Sequence, residues 1–156
     1  MDRLVVFIAT GAYSGYSPVA SGTAGTLAAV PLYYLLSYFG HEIYIGAIVV
    51  ILPLSFWVSG KAEKIFDKKD SGLIVIDEII GFLIAMLFIP PVWSFVVAGF
   101  ILFRFFDISK IYPASKMEKL GGGFGVVMDD VVAGLYSNIA IRLLAAAGIP
   151  LIYGKF

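Results

Sequence analysis

Two pairs of adjacent carboxylates stand inside otherwise apolar runs, Asp77-Glu78 in IVIDEIIGF and Asp129-Asp130 in GVVMDDVVAG. A third polar group, Arg104, Asp107 and Lys110, lies between them in FRFFDISK. The carboxylates of Asp77, Glu78, Asp107, Asp129 and Asp130 are hard oxygen donors. They suit Mg²⁺, which prefers oxygen ligands and keeps waters and substrate phosphate in its shell. Arg is a bidentate partner for phosphate and Lys a point charge for it. Acids together with Arg104 and Lys110 at a membrane surface describe a site for a phosphorylated headgroup. There is no Cys and a single His, His41, which excludes thiolate and two-histidine chemistry. Phosphoryl chemistry here would use a metal-activated water or a carboxylate nucleophile, and both stay open.

Each group also has a plainer reading. Asp77 and Glu78 stand about 100° apart on a helix and are expected not to share one face. One would hold a cation and the other a second ligand or a base; otherwise both are interfacial acids paired with lysines. Arg104, Asp107 and Lys110, at i, i+3 and i+6, share a face if helix runs past residue 106. The alternative is basic anchoring with an internal Arg–Asp pair. Asp129 and Asp130 are either metal ligands or helix-start acids favoured by the dipole. Gly121-Gly122-Gly123-Phe124-Gly125 is either a hinge or a loop whose N–H groups, those of Gly122 and Gly123 among them, meet a phosphate. Ser17, Ser21, Thr23 and Thr26 either cap helices and fill turns or touch substrate, Thr23 being the candidate for that contact.

The elements that must position these groups are apolar. The chain is 60% hydrophobic and 14% charged, against about 45–50% and about 25% in soluble domains. Its mean hydropathy is +0.96. Net charge is zero, so no global field favours nucleic acid. A length of 156 residues fits one domain, residues 1–156. Five apolar runs are read as membrane helices: Leu27–Phe39, Ile43–Ser59 with a kink at Pro53, Leu73–Ile89, Val92–Phe106 and Val126–Ile149. Pro90-Pro91 and Pro150 close two of them, and Thr26 is expected to cap the first. The run Leu4–Ala9 is too short for a signal peptide and reads as a re-entrant or interfacial helix. The expected fold is therefore all-α, an integral membrane helical bundle of about five transmembrane helices plus that short N-terminal helix.

Lys and Arg set the orientation. Arg3, the loop with Lys61, Lys64, Lys68 and Lys69, and the loop with Lys110, Lys116 and Lys119 fall on one side with Arg104. The turns at 40–42 and 90–92 carry no Lys or Arg. The N-terminus and both basic loops are placed in the cytoplasm, with Lys155 on the far side and Arg142 inside the last run as exceptions. The loop at 12–26, Asp77-Glu78, Arg104–Lys110 and Asp129-Asp130 then all reach the cytoplasmic membrane surface at one depth.

Four stretches, SPVASGTAGTLAAVP (17–31), IVIDEIIGF (74–82), FRFFDISKIYP (103–113) and GGGFGVVMDDVVAG (121–134), resemble the phosphatidylglycerophosphatase A family of bacterial lipid phosphatases in order and spacing. The resemblance spans nearly the whole chain. It implies a Mg²⁺-dependent, multi-pass enzyme of the bacterial inner membrane that hydrolyses phosphatidylglycerophosphate to phosphatidylglycerol and inorganic phosphate. It maps the functional acids to Asp77, Glu78, Asp107, Asp129 and Asp130, with Arg104 and Lys110 as basic companions. Asp129, Asp130, Asp77 and Arg104 are the catalytic candidates. Arg104, Lys110, Gly122, Gly123 and Thr23 are the phosphate-binding ones. The chain has Lys110-Ile111-Tyr112-Pro113 where the family commonly reads Lys-Pro-Trp-Pro; the acids are unaffected. Other classes weighed are a cation-binding or transport protein and another headgroup enzyme, such as a phosphoalcohol transferase. A cation path would place ionisable residues through the membrane's depth, and the middles of the first, second and fourth runs have none. Oligomeric state is open, a homodimer being within reach of a short bundle.

Overall fold

The computed structural model describes residues 2–117 and 120–147, and every regular element among them is helical. α1 (Asp2–Ala9) leads through a 3-10 turn (Ser14–Tyr16) to α2 (Ser21–Tyr38) and α3 (His41–Ile65). α4 (Ile76–Ala85), α5 (Trp93–Ser109), the one-turn α6 (Ala114–Met117) and α7 (Gly122–Ala146) follow. Two of them, α3 and α7, are long and apolar enough to cross a membrane, with mean hydropathies of 2.0 and 1.4. At 1.5 Å per residue each extends about 38 Å, beyond the roughly 30 Å of a hydrocarbon core. Apolar side chains also cover the outside of the bundle, including Val49, Val50, Trp93, Ile101, Ile139 and Leu143. A surface so apolar suits lipid rather than water.

α4 is the hub. It packs against α2, α3, α5 and α7, and all but one of its residues are buried. The expected run Leu73–Ile89 is thus helical only over Ile76–Ala85, about 15 Å. Irregular backbone at membrane depth needs partners for its carbonyls, and distant side chains provide them. Tyr44 Oη donates to Leu83 O at 2.7 Å, and Asn138 Nδ2 donates to Ala85 O and Leu87 O at 2.9 Å each. Arg142 Nη2 donates to Leu87 O at 3.1 Å, and Tyr33 Oη to Ile89 O at 2.8 Å. Arg142 is thereby explained: inside an apolar run, it closes the end of another helix.

Three helix starts and ends move from their expected places. α2 begins at Ser21 rather than after Thr26. Thr26 therefore caps nothing; its hydroxyl donates back to Gly22 O at 2.8 Å, inside the helix. α3 passes through Pro53 without a break and runs into the charged segment as far as Ile65. α7 begins at Gly122, a turn before Val126. Lys119, Lys155, Pro150 and the end of the last run lie outside the described residues. α4 and α7 cross closely, because a Cβ on Gly134 would collide with Gly81 O. A Cβ on Gly81 would in turn come within 2.8 Å of Asp130 O. The missing side chains at that crossing bring the acids of the two helices together.

Candidate active site

Asp77 and Glu78 occupy the first turn of α4. The start of that helix is tied to α1, since the Val75 N–H donates to Ala9 O at 2.8 Å. Asp129 and Asp130 lie two turns into α7, beyond the first turn where a helix dipole favours acids. Their burial is therefore not explained as helix-start stabilisation. Arg104 and Asp107 face α4 from the last turns of α5, and Lys110 ends that helix in the left-handed region with φ 43°.

The basic groups divide the acids. Arg104 Nη1 lies 2.6 Å from Asp107 Oδ2 and 3.9 Å from Glu78 Oε1. Lys110 Nζ donates to Asp129 Oδ2 at 3.1 Å. Asp77 and Asp130 gather with Glu78, which Arg104 meets at longer range: one carboxylate oxygen from each of the three lies within 4.8 Å of the others. Asp77, Asp129 and Asp130 are 7%, 7% and 3% exposed. Asp77 Oδ1, Glu78 Oε2 and Asp129 Oδ1 are buried with no hydrogen-bond partner among the described residues. Buried charges persist when paired or when they coordinate a metal. Three converging carboxylates, two of them with an orphaned oxygen, are an all-oxygen donor set that fits a divalent cation.

Of the expected acids, the structure thus brings Asp77, Glu78 and Asp130 to one point and ties Asp107 and Asp129 to bases. Asp77 and Glu78 do meet, despite the angle between them on the helix. Arg104 and Asp107 share a face as the i, i+3 spacing requires, whereas Lys110 reaches across to α7. Thr23 stands in the first turn of α2, half-buried. Gly122, at φ 62°, has open space where a Cβ would be. Gly123 does not: a Cβ there would meet Phe56 O and Gly60 N. Its smallness serves the contact of α7 with α3.

Gly22 lies against the candidate site, and the sequence reading did not single it out. A Cβ there would collide with Glu78 Oε1 and lie 3.0 Å from both Nη1 and Nη2 of Arg104. The backbone of α2 thus forms one wall of the site. The available signal was the Gly22–Gly25 spacing, i and i+3, in a segment whose glycines looked like loop.

Comparison with known proteins adds a family. The family model described as phosphatidylglycerophosphatase A matches residues 7–145. A Bacteroides thetaiotaomicron protein named "Putative phosphatidylinositol-3-phosphatase" is 42% identical over 149 residues, covering 90% of this chain and 92% of its own. The Escherichia coli protein named phosphatidylglycerophosphatase A is 35% identical over 132 residues, covering 83% of this chain and 77% of its own. Its Haemophilus influenzae namesake is 38% identical over 137 residues, covering 86% and 84%. No solved structure matches the chain.

Proposed function

The chain belongs to the phosphatidylglycerophosphatase A family, and we propose that it hydrolyses phosphatidylglycerophosphate to phosphatidylglycerol and inorganic phosphate. One observation carries the reading. Asp77, Glu78 and Asp130 converge within 4.8 Å beside a guanidinium whose Nε is buried without a hydrogen-bond partner among the described residues. Asp77, Glu78 and Asp130 would hold Mg²⁺, which when bound would offset phosphate charge and make water a better nucleophile.

The remaining roles belong to the chain. Arg104, oriented by Asp107, directs its Nε–H at a phosphate oxygen. Asp129, held through Oδ2 by Lys110, keeps Oδ1 for the proton of the attacking water. The water oxygen bonds to phosphorus as the bond from phosphorus to the glycerol oxygen breaks, and that oxygen takes up a proton from Asp129 or solvent to leave as the alcohol. The free N–H groups in the first turn of α2, from Ser21 to Thr23, and the turn at Gly121–Gly122 line the approach of the phosphate. Low dielectric around these groups strengthens each contact.

The bundle is a multi-pass protein of the bacterial inner membrane. α2, α3, α5 and α7 cross it. α4 makes the fifth crossing with the help of its non-helical flanks. The site opens to the cytoplasm, on the side of the basic segments 61–70 and 104–116, so a headgroup is met at the interface while the acyl chains stay in the bilayer.

The name of the Bacteroides relative motivates a second reading, in which the substrate is an inositol lipid phosphate. Both substrates are phosphate monoesters on a phospholipid headgroup, so one assay separates them. The purified protein is given each lipid in mixed micelles, with Mg²⁺ or with chelator. Mg²⁺-dependent phosphate release, faster from phosphatidylglycerophosphate, is expected. Faster release from phosphatidylinositol 3-phosphate replaces the headgroup assignment, and release from neither lipid overturns the phosphatase reading.

A further inference from the structure

We propose that the groove between α2 and α5 seats one acyl chain of the lipid substrate. This rests on the reading of that substrate as a diacyl phospholipid phosphate. The groove holds about 170 Å³ and is lined by Leu27, Val30, Trp93, Val96, Val97 and Phe100, all apolar.

Its register ties it to the site. α2 and α5 run antiparallel from the point where Gly22 meets Arg104. Five residues along α2 stands Leu27, and four residues back along α5 stands Phe100. Val30 and Val97 face the groove a turn further on, and Trp93 marks its far end. That end is about 16 Å along α5 from Arg104. The two helices touch each other little, while α4 packs behind both. The opening is lateral, since Leu27 and Trp93 are 56% and 65% exposed. A lipid can therefore slide in from the bilayer, chain along the groove, with its phosphate arriving at Gly22 and Arg104. Headgroup site and apolar groove share the same two helices, with Leu27 and Phe100 four to five residues from Gly22 and Arg104, which commits the groove to the substrate's own chain.

The test is a chain-length profile. Val97→Trp fills the groove from α5, and Val30→Trp fills it from α2. The readout is the ratio of kcat/KM for a long-chain lipid to kcat/KM for the acyl-free phosphorylated headgroup. Each variant is expected to lower that ratio about ten-fold or more, the scale on which apolar pockets discriminate by size, and to shift preference toward shorter chains. Ile101→Trp, on an exposed face of the same helix, is expected to leave the ratio as in the native protein. A ratio that survives in both groove variants, or falls equally in Ile101→Trp, overturns the proposal. Failure of the underlying phosphatase reading is distinct, because the native protein would then release phosphate from neither substrate.

Discussion

Asp107 and Asp129 each face a base, Arg104 and Lys110 respectively. Five carboxylates against two cations leave three negative charges in excess, and Asp77, Glu78 and Asp130 are the three carboxylates that gather, with Arg104 shared between Glu78 and Asp107. Like charges at such range repel strongly in a low dielectric. Asp130→Asn is therefore expected to raise the thermal midpoint of the chelator-treated protein while lowering phosphate release on the order of 10²-fold. Melting in detergent and a phosphate assay check both directions. Lys110→Gln acts differently. It leaves Asp129 in place without the lysine that holds its Oδ2, and activity should fall about 10-fold or more as that proton acceptor loses its orientation. Gly22→Ala pushes a methyl group into Glu78 and Arg104; overpacking of that kind costs about 1–3 kcal/mol. Its expected effect is a lower kcat/KM with the helical circular dichroism retained.

The helices explain why those residues meet, and also which parts of the arrangement could be read in advance. Charge inside an apolar run is conspicuous and expensive, so Asp77, Glu78, Arg104, Asp129 and Asp130 stood out as candidates from their surroundings alone. Helix starts at Ser21 and Gly122 were not. Gly22, Gly25, Gly122 and Gly123 lower helix propensity by about 1 kcal/mol each relative to Ala. Tertiary packing overrides that cost, as where Gly123 lies against Phe56 O and Gly60 N. The brevity of α4 was hidden for another reason. An apolar run has one composition whether or not it is helical throughout. The groups that satisfy its end, Tyr33, Tyr44, Asn138 and Arg142, lie 39 to 56 residues away in sequence. The angle between Asp77 and Glu78 also misled, because it describes Cβ directions and not where a longer side chain delivers its oxygens. Asn138→Leu leaves the carbonyls of Ala85 and Leu87 without their amide donor. An unpaired buried carbonyl costs about 1–3 kcal/mol, so denaturation in detergent should show a loss of that order, with activity falling as α4 loosens.

At the scale of the whole molecule, an apolar exterior surrounds the buried acids of α4 and α7 and the bases that meet them. Since the chain has no Cys, single cysteines can report which side of the membrane each end faces. Lys68→Cys is expected to react with an impermeant thiol reagent only from the cytoplasmic side. Glu42→Cys, in the exposed first turn of α3, is expected to react only from the opposite side. Labelling of both from one side would remove the multi-pass arrangement. The convergence of Asp77, Glu78 and Asp130 around a divalent ion is tested most directly by phosphate release from phosphatidylglycerophosphate during a Mg²⁺ titration, run in parallel on the native protein and Asp130→Asn. The native rate should rise from near zero in chelator to saturation, and Asp130→Asn should stay near zero or need far more Mg²⁺. A full rate in chelator, or an Asp130→Asn titration that overlays the native curve, would contradict it.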